Sequence, residues 1–297
     1  MFVKTKNFNA DELARFKTLQ QTSFGILQAA AARLSGGETE KDVAHQLVKD
    51  YTANGFKSFF HLPVALFGER TALPGAWSVG HFFPKQKKLE PGASVILDAA
   101  PICDGYLVDT SFSFCFGESE EHRQMMVHLS QYRDAILAAV NSGEGFKQIA
   151  DDVISNMSAS GYEPVHTKHV GEVLGHRAVK FGPLPIKPRL NGFDAFAISW
   201  FELKDRIASL GLGRRSPLWN ALKTSDHSPH DGLWLVEPHA GKGNVGAKWE
   251  EIMVIEKGVA RWLDDRPPHV VQWQNIASGT PYTPASLDQP TGAPACV

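Results

Sequence analysis

The chain has 297 residues, with 43% hydrophobic and 21% charged residues, as in ordinary globular proteins. Its formal net charge of −2 gives no reason to expect nucleic acid or an anionic membrane as a partner. The N-terminal residues lack an apolar segment and no long apolar run follows, so we expect neither a signal peptide nor a membrane span. Three cysteines in no metal-site spacing favour a reduced, cytoplasmic protein.

Apolar residues recur first at helical and then at strand spacing, and this order occurs twice along the chain. The first set comprises predicted helices at 10–34 and 39–54 and strands at 58–67 and 94–115. The second set comprises predicted helices at 119–141 and 145–160 and strands at 232–238 and 247–256. Residues 186–231 are predicted to be irregular and to cover a cleft or contact another subunit. The tail from residue 276 is rich in Pro, Gly, Ser and Thr, which predicts an extended or disordered segment.

The two sets also match residue by residue over one helix. Residues 36–56 align with residues 142–162 without a gap, and glycine meets glycine while apolar residues meet apolar residues. Amphipathic helices can look alike by chance, but a constant offset favours a duplicated helix–helix–strand–strand unit. Two such halves, related by a pseudo-twofold axis, would leave a cleft that is a natural binding site.

Two acids lie in predicted strands on either side of Asp104-Gly105, a dipeptide favoured in tight hairpin turns. Counting outward from this turn places Asp98 opposite or nearly opposite Asp109. Like charges in such positions destabilise a sheet, so the pair requires an explanation.

A second predicted hairpin repeats this feature around the turn GKGNVG. Glu237 and Glu250 are equidistant from the turn centre and should face each other, while Glu251 should point to the other face. Four converging carboxylates cannot all ionise without countercharge, so they either take up protons or bind cations. Their charge matches two divalent ions, for which carboxylate oxygens are suitable ligands. A solvated acid or an Asx turn would explain any one of these residues, but not both opposed pairs.

These residues resemble the metal motif of the pita-bread metallopeptidases, which include methionine aminopeptidase, aminopeptidase P, prolidase and creatinase. The matching segments are LDAAPICDGYLVDTSF, VLGHRAVKFGPLP, LVEPHAG and KWEEIMVI. The resemblance implies an α+β pita-bread fold with pseudo-twofold halves around an antiparallel sheet. It implies a free-standing catalytic domain over residues 1–275, with pseudo-repeats at 10–115 and 119–265, followed by a tail at 276–297.

The resemblance further implies that two divalent ions (Mn, Co, Fe or Zn) are held by Asp98, Asp109, His176, Glu237 and Glu250. Asp109 and Glu250 would bridge both ions, Asp98 would bind one, and His176 and Glu237 would bind the other. Glu237 would also transfer protons between the nucleophilic water and the leaving amine.

The histidine region departs from the family pattern, which has a GHGIG motif and a second histidine about seven residues after the ligand. Here the motif is GHRAV, and Pro183 stands where the second histidine is expected. Another register would place Glu172 at the ligand position and Val179 at the second histidine, and His169 is a third choice. His176 could also be an ordinary core histidine.

Three further histidines are candidates for substrate binding, although a lone histidine is more often structural. His81 precedes the first hairpin, where the family often places a substrate-contacting histidine that takes part in catalysis; the others are His239 and His227. The resemblance thus implies a dinuclear metallopeptidase of the aminopeptidase or Xaa-Pro type, which acts on short peptides and could form a homodimer. The alternatives are a creatinase-like hydrolase of a small non-peptide C–N bond, which works without metals, and a non-catalytic binding protein.

Overall fold

The computed structural model of the protein describes residues 2–76, 78–183, 189–190, 192–212, 215–279 and residue 296. The helices are α1 (Ala10–Arg33), α2 (Glu40–Ala53), α3 (Glu120–Ser142), α4 (Phe146–Ala159), α5 (Ala195–Ser209) and α6 (Pro268–Ser278). The strands are β1 (Val3–Lys4), β2 (Ser58–Phe59), β3 (Val64–Phe67), β4 (Ala93–Ala99), β5 (Pro101–Cys103), β6 (Tyr106–Leu107), β7 (Thr110–Phe116), β8 (Glu163–Pro164), β9 (Val173–Ala178), β10 (Lys180–Phe181), β11 (Arg189–Leu190), β12 (Phe193–Asp194), β13 (Leu218–Asn220), β14 (Gly232–Val236), β15 (His239–Lys242), β16 (Val245–Lys248), β17 (Glu251–Glu256) and β18 (Val259–Trp262). The predicted α+β class and the repeated order of helices and strands are therefore present.

The central strands separate two apolar cores. In β14, Leu233 and Leu235 pack into a core with α1 and α2, whereas Trp234 and Val236 pack into a core with α3 and α4. Successive side chains of a strand point to opposite faces, so a strand covered on both faces reads as a continuous apolar run. This packing explains the LWLV sequence and places the strand ends, where the acids lie, between the two helix pairs.

The first hairpin has the predicted turn, and its two acids are nearly opposite rather than directly opposite. Asp104 and Gly105 both have positive φ, at 51° and 86°, as a type I′ turn requires. Across the β4–β7 ladder, however, Asp98 pairs with Ser111 and not with Asp109. Asp109 lies two residues closer to the turn on the same face, so the two acids are diagonal neighbours.

The second hairpin has the predicted register. Val236 pairs with Glu251 in one ladder and His239 pairs with Lys248 in the next, so Glu237 and Glu250 face each other between them. Glu251 points to the other face, as expected, where it accepts hydrogen bonds from Arg133 at 2.6 Å and His269 at 2.9 Å.

Residues 186–231 are more regular than the sequence indicated, because α5 and β13 both lie within them. Asp194 caps α5 by accepting a hydrogen bond from the Ala197 amide at 3.1 Å. Phe201 of α5 then packs on Phe60, with ring centroids 4.9 Å apart. The predicted cover for the cleft thus has a helical part. Residues 186–188, 191 and 213–214 of this segment lie outside the described chain.

The predicted tail is only partly described. Residues 276–278 belong to the end of α6 and are helical, which corrects the prediction for its start. Residues 280–295 and 297 lie outside the described chain, so the extended or disordered segment predicted there stays a prediction. None of the described helices is long and apolar enough to cross a membrane.

The cysteines also differ from the expectation. Cys103 and Cys296 form a disulfide across 193 residues, whereas Cys115 is unpaired and partly buried. This pairing contradicts the expectation of three reduced cysteines, and no local spacing in the sequence reveals it. The cytoplasmic location rested on those reduced cysteines, so it loses that support and stays a prediction.

Thiol labelling tests the disulfide. In protein that is denatured without reductant, we expect a thiol reagent to label Cys115 alone, and all three cysteines after reduction. Cys115→Ser, as the control, should lower both counts by one. Labelling of Cys103 before reduction would contradict the pairing.

A buried histidine predicts acid sensitivity. His122 in α3 is 5% exposed, and its burial lowers its pKa from 6.5 to about 4. The unfolded chain therefore takes up a proton near pH 6.5 that the folded chain takes up only near pH 4. This contribution to stability is complete above pH 6.5 and is lost as the pH falls through that window, by at most about 1.4 kcal/mol per pH unit.

Urea unfolding at pH 7 and pH 5 measures this loss. We expect His122→Phe to reduce the difference in unfolding free energy between the two pH values. The same experiment on His45→Gln, a change at an exposed histidine of α2, is the matched control. An unchanged difference in His122→Phe would show that this residue is not the source.

Candidate metal centre

The two hairpins meet where their acids lie. A single β-bridge between Ser111 and Glu250 joins them. Two residues further along, the Ser113 hydroxyl donates a hydrogen bond to the Lys248 carbonyl at 2.6 Å and accepts one from the Lys248 amide at 2.9 Å. The bridge and the Ser113 hydroxyl place Asp98 and Asp109 from the first half beside Glu237 and Glu250 from the second.

Two histidines close around Asp109. The Nε2 atom of His61 lies 3.3 Å from Asp109 Oδ2 and 3.6 Å from Asp98 Oδ1. The Nε2 atom of His176 lies 3.5 Å from Asp109 Oδ2 and 4.0 Å from Glu250 Oε1. Each histidine thus forms a three-residue group suited to a cation, and Asp109 belongs to both groups. His61 is not among the residues predicted from the sequence, because nothing in the spacing of FFHLP connects it to the acids.

A lysine lies among the other three acids. The Nζ atom of Lys248 is 2.8 Å from Asp98 Oδ2, 3.1 Å from Glu237 Oε2 and 3.1 Å from Glu250 Oε2. Lys248 is likewise not among the predicted site residues. Strand alternation could have found it, because a residue two positions before Glu250 projects from the same face.

Glu237 begins a chain of hydrogen bonds that leads away from the acids. Its Oε2 is 3.0 Å from His169 Nδ1, His169 Nε2 is 2.9 Å from His239 Nδ1, and His239 Nε2 is 2.7 Å from the Thr71 carbonyl oxygen. A carboxylate and a carbonyl only accept, so three hydrogen bonds require three protons on two imidazole rings. With Glu237 ionised, the histidine pair therefore carries one positive charge.

The other predicted histidines and Glu172 lie elsewhere. His227 contacts Phe146 and His230 in the second core, and its Nδ1 hydrogen-bonds the Ser228 carbonyl. Glu172 is exposed in a turn with φ of 53°, so the described structure does not bring it to the acids. His81 lies in a short 3₁₀ helix, and the His81 backbone carbonyl accepts a hydrogen bond from Arg70.

Of the predicted substrate-binding histidines in the described structure, only His239 is connected to the acids. The connection is a hydrogen bond to His169, which in turn contacts Glu237, and His239 does not line a cleft. It is 1% exposed, and both of its ring nitrogens are already hydrogen-bonded. His169 precedes His176 by seven residues, which is the spacing that the resemblance expects between a ligand histidine and a second histidine.

The charges around the acids shift their proton affinities in opposite directions. Burial and the charge of Asp109 raise the pKa of Glu250 well above its usual value, with Lys248 opposing them. Although burial acts against it, the charges of His61 and His176 lower the pKa of Asp109 to about 2. Burial also opposes ionisation of Glu237, but Lys248 and His169 hold its pKa well below the ordinary value. Without a bound cation, Glu250 is therefore the acid that is least well compensated.

The orphaned oxygens indicate that a cation fits. Among the described residues, none donates a hydrogen bond to Oε1 or Oε2 of Glu250 or to Oδ1 of Asp98, although all three atoms are buried. Buried carboxylate oxygens are expensive to leave without a hydrogen bond or a bound cation. Oxygen and imidazole donors together suit Mn, Fe, Co or Zn. The residues present are therefore consistent with a divalent metal on the side of Asp109 and Glu250.

An aromatic wall borders this position. The ring of Phe60 lies 5.7 Å from that of His176, and Phe201 of α5 lies 5.6 Å from the same imidazole. The His61 side chain is 34% exposed, whereas that of His176 is 7% exposed. Solvent therefore reaches the centre from the side of His61.

Several solved structures share the architecture of this chain, and the three described next are named as peptidases. An X-Pro aminopeptidase from Thermotoga maritima superimposes with a TM-score of 0.63 at 19% sequence identity. The superposition covers 89% of this chain and 63% of the aminopeptidase chain. A prolidase from Thermococcus sibiricus gives 0.62 at 15% identity, covering 88% and 60%. A dipeptidase from Pyrococcus horikoshii gives 0.63 at 17% identity, covering 88% and 62%. At these identities the likeness shows the pita-bread fold, and the chain spans about three fifths of each neighbour's length.

Sequence comparison gives the family. No curated protein matches the chain. The model of Metallopeptidase family M24 matches residues 14–195, which is more than half of the chain and includes Asp98, Asp109 and His176. With the fold of its structural neighbours and the acids gathered between its two hairpins, the chain belongs to metallopeptidase family M24.

Proposed function

We propose that the protein is a divalent-metal-dependent peptidase that removes the N-terminal residue of short peptides, of the aminopeptidase or Xaa-Pro type. The observation that carries this proposal is the set of buried carboxylate oxygens of Asp98 and Glu250 that accept no hydrogen bond from a described residue, beside Asp109 and His176. The names of the structural neighbours, X-Pro aminopeptidase, prolidase and dipeptidase, support the choice of substrate.

Asp109, His176 and Glu250 would hold the metal, with Asp98 and His61 at its exposed side. When bound, a divalent ion would lower the pKa of a coordinated water and polarise the scissile carbonyl. His169 remains the alternative histidine ligand, because it contacts Glu237 and precedes His176 by the family's spacing.

Glu237 would act as the general base and acid. Lys248 and His169 both bind its Oε2 atom, which keeps the carboxylate ionised and oriented. A proton taken from water would be held at Glu237 and passed to the leaving amine. The hydrogen bonds through His169 to His239 would fix the carboxylate in place while this happens.

The substrate would enter past His61, with an apolar residue against Phe60 and Phe201. His81 is retained as a candidate for substrate contact, because Phe82, its neighbour in sequence, packs on His169. His239 and His227 are not retained in the proposal, since one has both nitrogens occupied and the other faces the second core.

A creatinase-like activity on a small non-peptide C–N bond is the second candidate. The observation that favours it is the Lys248 ammonium, which already neutralises part of the acid cluster without a metal. Hydrolysis that persists in EDTA would favour this candidate over the peptidase.

Peptide hydrolysis in the presence of Mn²⁺ or Co²⁺ tests the proposed reaction. We expect turnover of Xaa-Pro or Met-Ala peptides, and we expect Glu237→Gln to lower kcat by about 10²–10⁴-fold because the proton carrier is lost. Glu163→Gln, the same change at an exposed residue of β8, should leave kcat unchanged. No turnover by the metal-loaded wild type would sink the peptidase proposal.

Thermal unfolding tests metal binding separately from activity. Saturating Mn²⁺ should raise the Tm of the wild-type protein, since a ligand at 100 times its Kd stabilises by about 2.7 kcal/mol. Asp109→Asn should abolish this rise, because Asp109 belongs to both candidate groups. Asp104→Asn in the neighbouring turn is the matched control and should keep it. An equal rise in both variants would place the metal elsewhere.

A further inference from the structure

We propose that the protein holds one divalent ion, beside Asp109 and Glu250, and that the ammonium group of Lys248 takes the place of a second ion between Glu237 and Glu250. The proposal rests on the metal dependence proposed above, but not on peptide cleavage. It differs from the two ions that the four acids alone predict.

The ammonium lies where a second ion would need to be. A second ion would be coordinated by Glu237 and would share Glu250 with the first. Lys248 Nζ is 3.1 Å from an oxygen of each of these residues and 2.8 Å from Asp98 Oδ2. It therefore contacts both carboxylates, Glu237 and Glu250, that such an ion would use.

The lysine cannot readily move aside. Its side chain is 5% exposed, and its backbone is held by Ser113 on one side and by the pairing with His239 on the other. Strand alternation fixes its side chain on the same face as Glu250. An ammonium group removed from these carboxylates would stay buried without a counterion, which is strongly unfavourable.

The free ligand atoms lie on the opposite side of the cluster. Asp98 offers Oδ1 and uses Oδ2 for the lysine, and Glu250 likewise has Oε1 turned toward His176. Asp109 is the acid that Lys248 does not bind, and it is shared by both candidate groups. One ion near Asp109 can thus use oxygens that the lysine leaves open.

Glu237 is not available to coordinate a second ion. Its Oε2 is bound by both Lys248 and His169, and Glu237 belongs to neither candidate group among the described residues. A divalent ion on that side would also face the ammonium at a few ångströms in a buried site, where like charges repel strongly. The arrangement therefore favours one ion and one lysine.

Metal stoichiometry tests this proposal without measuring catalysis. Wild type, Lys248→Met and Lys248→Arg would be stripped with EDTA and dialysed against Mn²⁺ to saturation. Bound Mn²⁺ per chain would be measured by elemental analysis, and electron paramagnetic resonance would distinguish an isolated ion from a spin-coupled pair. We expect one isolated ion in wild type and in Lys248→Arg, which keeps the charge, and two coupled ions in Lys248→Met.

Each other outcome is decisive. Two coupled ions in the wild type would overturn the role of Lys248 and leave the proposed function intact. A single ion in folded Lys248→Met would also overturn it. No bound ion in the wild type would overturn the proposed metal dependence together with this inference.

Two further variants keep the test valid if Lys248→Met does not fold. Glu237→Gln should keep the single isolated ion, because Glu237 faces the lysine and not the metal. Glu250→Gln should lose it. Loss of the ion in folded Glu237→Gln would contradict the proposed arrangement, whatever the behaviour of the lysine variants.

Discussion

The gathering of four carboxylates at one junction, with Asp109, Glu237 and Glu250 buried and Asp98 mostly so, is the constraint on which the rest of this structure depends. A buried charge must be paired, and here the pairing comes from both halves of the chain: Lys248 binds Asp98 across the junction, and His176 lies against Asp109. Loss of one partner from such a group typically costs about 3–5 kcal/mol, because the other charge stays buried. The cluster is thus as much a requirement of the fold as a site within it.

The strand registers make this pairing possible. A shift by one residue in either hairpin would turn its acids into an apolar core, so the register is strongly specified. Ser113 links the ladders by bonding both backbone groups of Lys248, and Gln272 of α6 donates to the Ser113 carbonyl. A helix at the end of the described core therefore supports the position of a lysine inside the metal centre.

Much of this could be predicted from the sequence. Helical periodicity gave α1 to α4, and symmetry about the turn gave the opposition of Glu237 and Glu250 and the outward direction of Glu251. The same counting placed Asp98 opposite or nearly opposite Asp109 without deciding between the two, since a short turn fits several registers, and the structure has the second arrangement. His61 and the Cys103–Cys296 pair depend on tertiary contacts, which leave no periodic signal.

The missed lysine shows why counting acids was insufficient. Four carboxylates suggested two divalent ions, but Lys248, at the end of β16 and two residues before Glu250, lies on the same face as that acid. Its ammonium keeps Glu237 ionised and leaves Glu250 without a hydrogen bond from any residue that the structure describes. One side of the cluster is therefore prepared for proton transfer and the other for a metal. Burial raises the pKa of Glu250 well above its ordinary value. A divalent ion bound there would compensate the buried negative charge, so metal binding and folding would stabilise each other.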